Sequence, residues 1–130
     1  MAVNDPSPAT PDAPSRAPDL LCSTSSWFLW WLPGAAVFAG ASWPAGRPWL
    51  WIPAFGVMAA ACLINAAQCG RMHCYFTGPL FLLAALYVAA GKLGLVPMYA
   101  GTLLIVVVAG TVLAFLAEIP LGKYRRNSCC

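Results

Sequence analysis

Along the chain, four charge-free apolar runs alternate with short polar breaks: about Trp27–Ser42, Trp49–Gln68, Phe76–Gly91 and Leu95–Ala117. A helix rises 1.5 Å per residue and the hydrocarbon core of a bilayer is about 30 Å thick, so roughly 20 residues cross it and about 17 is near the lower limit. The second and fourth runs are long enough, and the first and third lie at that limit. The pattern predicts an all-α membrane protein, a four-helix transmembrane bundle with up-down-up-down connections. Short links force consecutive helices to be antiparallel.

The breaks carry turn chemistry. Pro44, Gly46 and Pro48 mark the first link, Gly70 suits a left-handed C-cap at the end of the second run, and Thr77 is placed to cap the third, with Gly78-Pro79 in its first turn. Trp27, Trp30 and Trp31 open the first run, and Trp43, Trp49 and Trp51 bracket its exit. Trp favours the headgroup region, where the ring stays apolar and the N–H is wetted, so both ends read as interfaces. A re-entrant hairpin between Pro33 and Pro53 is the alternative for the first two runs. Ala36-x-x-x-Gly40, Ala85-x-x-x-Ala89 and Gly110-x-x-x-Ala114 put small residues on single helix faces, where backbones can approach closely; in so Ala-rich a chain, chance spacing explains them equally well.

Composition supports the membrane reading. The chain is 61% hydrophobic and 8% charged, whereas soluble domains carry about 25% charged residues. Residues 1–22 form a Pro- and Ala-rich tail, with five prolines by position 18, expected to be disordered because it cannot bury enough apolar surface to offset its ordering entropy. It has neither the basic start nor the cleavage site of a secretory signal, and Leu21 directly before Cys22 argues against a lipidation signal. Residues 23–121 are read as the transmembrane domain and 122–130 as a short basic tail ending in Cys129-Cys130.

With four crossings, Arg16, Arg71, Lys123, Arg125 and Arg126 share one side against Arg47 and Lys92 on the other. The excess of Lys and Arg on cytoplasmic loops then places both termini in the cytoplasm, in a cell (inner) membrane.

On that topology Cys22, Cys69, Cys74, Cys129 and Cys130 lie at the cytoplasmic side and Cys62 lies within the second run. The cytosol keeps thiols reduced, so soft-metal ligation or thiol chemistry is expected instead of structural disulfides. Cys69-Gly-Arg-Met-His-Cys74 is the densest cluster, joining two thiols and His73, beside Arg71, in an expected tight turn. Thiolate and imidazole suit Hg(II), Cu(I) or Zn(II), with Cys129 and Cys130 as further donors. The cluster lacks the second ligand pair of an ordinary zinc motif, and a plain turn with buried small residues is the competing explanation.

In the second run Met58, Cys62, Asn65 and Cys69 recur at spacings that share one helix face. They form a path for handing on a soft ion or, equally, a packing face with one polar residue. Glu118 is expected to be solvated or paired with Lys123 or Arg125, with proton carriage as the alternative. No phosphate loop, H-E-x-x-H or nucleophile elbow is present, and the chain is not expected to be an enzyme.

This layout of a few short spans and cytoplasmic-side cysteines is similar to that of the small mercuric-ion transport proteins of bacterial mercury resistance. Those proteins carry a Cys pair in their first span and this chain does not, so no residue roles carry over. Two functional expectations follow: binding or transport of a soft metal ion through Cys62, Cys69, His73, Cys74, Cys129 and Cys130, or a non-catalytic membrane subunit or assembly factor. The expected partners are the lipid bilayer, a metal ion, and a second copy or another membrane protein, with no nucleic acid. A thiol oxidoreductase of the quinone-linked four-helix kind would need the cysteines on the oxidising side, and no C-x-x-C is present.

Overall fold

The computed structural model describes residues 26–122. The expectations for both tails, with Cys22, Cys129 and Cys130, lie outside the described residues. Four helices account for most of the rest: α1 Ser26–Ser42, α2 Arg47–Cys69, α3 Met72–Lys92 and α4 Ala100–Leu121. Among them α2, α3 and α4, at 23, 21 and 22 residues, are long and apolar enough to cross a membrane. Helix α1 has 17 residues, which at 1.5 Å each reaches only about 25 Å.

Two helix starts differ from the apolar runs by four residues or more. Helix α3 starts at Met72, four residues before Phe76, because Gly70 and Arg71 alone make the turn. Gly70 takes φ 65° and ψ 32°, and its N–H donates to the Ala66 carbonyl, a left-handed cap that suits a residue without Cβ. His73, Cys74 and Thr77 are therefore helical, and Thr77 is not the expected cap. Helix α4 starts at Ala100, not Leu95. Pro97 disfavours the helical conformation at Val96, and residues 93–99 form a link pinned by Tyr87. The Tyr87 hydroxyl donates to the Pro97 carbonyl at 2.7 Å and accepts the Tyr99 N–H at 3.2 Å.

The helices pack mainly as neighbours in chain order, α1 on α2, α2 on α3 and α3 on α4, with the α2–α3 pair at the centre. Trp51, Phe55, Ala59, Cys62 and Ala66 of α2 meet Cys74, Phe81, Ala84 and Val88 of α3, and Val107 of α4 completes the cluster. Outward-facing Leu83, Leu86, Ile105, Val108 and Leu113 are more than half exposed. So many apolar side chains facing outward on helices whose backbone groups are internally bonded suit a hydrocarbon surrounding.

The small-residue faces do pack. A Cβ on Gly40 would collide with Trp51 Nε1, which donates to the Val37 carbonyl at 2.9 Å. Gly110 likewise faces Leu80, and Ala114 is buried. At the same end as the α1–α2 link, Arg47 donates from Nε to the Gly40 carbonyl at 3.0 Å, serving one of the carbonyls a helix end leaves without an intrahelical partner. Lys92 Nζ lies 3.2 Å from the centre of the Trp49 ring, a cation over an aromatic face.

Candidate functional site

At the opposite end of the α2–α3 pair, the polar stripe of α2 faces inward as its spacing predicts. Cys62, Asn65 and Cys69 are buried, Met58 is half-buried, and Ala60 and Ala67 point outward. The short Gly70-Arg71 turn folds α3 straight back onto this face. It carries Cys74 and Thr77, three residues apart and both buried, into the helix interface.

There Cys62 makes hydrogen-bond contact with Cys74, and neither cysteine is in a disulfide. Thr77 Oγ1 is 3.3 Å from Cys62 Sγ and 3.0 Å from the His73 carbonyl oxygen. The hydroxyl owns a single proton. While Cys62 is a thiol, Thr77 donates to the carbonyl and can accept from the S–H. Once Cys62 is a thiolate, a rotation of the hydroxyl lets Thr77 donate to sulfur instead. The arrangement is thus two thiols in contact, shielded from water, with a donor placed to stabilise one as the anion. That chemistry serves soft-ion ligation and thiol–disulfide exchange alike.

His73 is not part of this pair. Its Nδ1 lies 2.6 Å from Glu118 Oε1, its backbone N–H donates to the same oxygen at 3.4 Å, and its ring stacks on Phe115 with centres 4.3 Å apart. The side chain is 2% exposed and that of Glu118 16%. Glu118 therefore turns inward to His73 rather than being solvated, and it ties α4 to the start of α3; Lys123 and Arg125, the other expected partners, lie outside the described residues. A carboxylate behind an imidazole is also how a metal-ligating His is oriented. Among the described residues, however, no group of three His, Cys, Asp or Glu side chains converges to hold an ion.

The expected cluster Cys69, His73 and Cys74 is thus taken apart by the fold. Cys69 is disulfide-bonded, so its sulfur is not a thiolate ligand in this structure. The expectation that disulfides are absent is corrected at that residue. His73 faces α4 because it begins the helix that the turn had been expected to precede. Cys74, once α3 is extended back to Met72, pairs with Cys62. Thr77, which before Gly-Pro has the form of a helix cap, instead faces Cys62 inside the helix interface.

No protein-family model, curated protein or solved structure matches this chain.

Proposed function

We propose that this is a small polytopic membrane protein that binds a soft, low-coordinate metal ion between Cys62 and Cys74 and passes it across the bilayer. The observation that carries the reading is the contact of two buried, reduced cysteines across the α2–α3 interface. Two thiolates satisfy a linear Hg(II) or Cu(I) ion, whereas structural Zn(II) takes four ligands. Met58, one turn from Cys62 on the same face, offers a soft thioether along the way.

Replacing Cys62 by Ala should abolish protein-dependent accumulation of Hg(II) or Cu(I) in cells, while Ala60→Val, on the outward face of the same helix, should accumulate the ion as the parent does. Equal accumulation by parent and Cys62→Ala would remove the transport reading and leave the non-catalytic membrane subunit in its place.

In the proposed topology all four helices cross an inner membrane as an up-down-up-down bundle, with both termini in the cytoplasm. Five basic residues against two support this orientation. The Cys69 disulfide pulls the other way, because disulfides persist in oxidising compartments. A Cys introduced at exposed Ser42, beside the α1–α2 link, separates the two. In intact cells Ser42→Cys should react with a membrane-impermeant maleimide above the parent's background; reaction only after permeabilisation would invert the topology.

A further inference from the structure

We infer that Cys62 and Cys74 are also an oxidation site, at which a small hydroperoxide, hydrogen peroxide in the simplest case, converts the pair into a disulfide bridging α2 and α3. This uses the two thiols of the metal reading and needs no metal, so either can fail alone.

The placement rests on contacts between the two helices. Both cysteines are thiols, both are fully buried, and they make hydrogen-bond contact with each other across the interface. Thr77 fixes the register: its hydroxyl oxygen is 3.3 Å from Cys62 Sγ, and it follows Cys74 on α3 at a spacing that puts both side chains on one helix face. The helices touch at the next residue as well, since a Cβ on Gly78 would press on the Leu63 side chain. Closing the bond brings two sulfurs already in contact to roughly 2 Å.

Burial selects the oxidant. A bulky, charged disulfide such as oxidised glutathione does not fit between packed helices, whereas hydrogen peroxide is uncharged and little larger than water. Thr77 selects the sulfur that reacts first. Its hydroxyl is placed to donate to a Cys62 thiolate, the nucleophilic form of a thiol. Cys74, in contact, is then the resolving thiol, and such a neighbour halts oxidation at the disulfide.

The steps balance with the peroxide as oxidant. The Cys62 thiolate attacks one peroxide oxygen; the S–O bond forms and the O–O bond breaks. The leaving hydroxide takes up the proton that Cys62 gave up and departs as water, with Cys62 now a sulfenic acid. Cys74 Sγ attacks the Cys62 sulfur, the S–S bond forms, and the sulfenic hydroxyl departs with the Cys74 proton as a second water. Each sulfur has lost one electron and each peroxide oxygen has gained one. Cys69, already disulfide-bonded, takes no part. In the bridged form neither sulfur is a thiolate, so oxidation closes the pair to a soft ion.

The test is peptide mapping of the full-length protein in detergent with chelator, treated with graded hydrogen peroxide, quenched with catalase, alkylated and cleaved after Arg71 to separate Cys62 from Cys74. The parent should gain a Cys62–Cys74 disulfide, with both thiols lost together and no sulfinic acid at either. In Cys74→Ser, which lacks the resolving thiol, dimedone should trap a sulfenic acid on Cys62. Thr77→Val should slow the loss of the Cys62 thiol roughly tenfold, about the worth of one hydrogen bond to a charged group, and Thr77→Ser should restore it. The proposal is overturned if both residues stay thiols at peroxide levels that already convert the protein's methionines to sulfoxide, or if they are oxidised separately with no bond between them. Those two results come from the native chain, whatever the stability of the variants.

Discussion

Glu118→Ala should destabilise the protein by about 1–3 kcal/mol, the cost of leaving a buried polar partner unsatisfied. His73 is 2% exposed and its Nδ1 meets Glu118 Oε1 at 2.6 Å. With the carboxylate gone, the ring has Phe115 beside it and no acceptor from residue 118. Glu118→Gln keeps an acceptor oxygen and should lose much less. The double variant His73→Leu/Glu118→Leu should regain a large part of the single-variant loss, because removing both partners leaves no orphaned group. Unfolding in detergent, followed by helix circular dichroism, measures all three. If Glu118→Ala unfolds with the parent, the pair does not hold α4 to α3.

The larger effect is expected at the thiols. Cys62→Ser/Cys74→Ser exchanges two soft sulfur donors for hard oxygens of similar shape, so Hg(II) or Cu(I) binding should weaken by at least about a thousandfold, or some 4 kcal/mol. The fold should persist, since Ser retains the hydrogen-bonding capacity toward Thr77. His73→Ala should leave the stoichiometry of binding unchanged, because its ring is directed at Glu118 and Phe115 rather than at the sulfurs. Competition with a thiol chelator reads both changes. Binding should also weaken as pH falls, since thiols lose their protons when they ligate.

Much of the framework was legible because membrane helices are written in long apolar runs. Gly70 suits a left-handed cap in the sequence and forms one; the face shared by Met58, Cys62, Asn65 and Cys69 follows from helix periodicity and is turned inward. The start of α3 was not legible. The residues from Met72 to Tyr75 interrupt the apolar run without breaking the helix, so in the sequence their polarity has the form of a loop, and Cys69, His73 and Cys74 the form of a single turn. Once those residues are helical, neighbours in sequence point in different directions: Cys74 toward α2 and His73 toward α4. Pairings across helices, such as Cys62 with Cys74 or His73 with Glu118, depend on register that no local spacing encodes. The disulfide at Cys69 is not legible either, because the oxidation state of a thiol depends on compartment, which no residue spacing encodes.

If Cys62 and Cys74 alone make the two-sulfur site, X-ray absorption should show it in the Hg(II)-loaded protein in which Cys22, Cys69, Cys129 and Cys130 are all Ser. One equivalent of mercury bound by two sulfur neighbours, in a variant that keeps the parent's helix content, is the expected result. The account is contradicted if this folded variant takes up no mercury while the parent does, or holds it with only one sulfur.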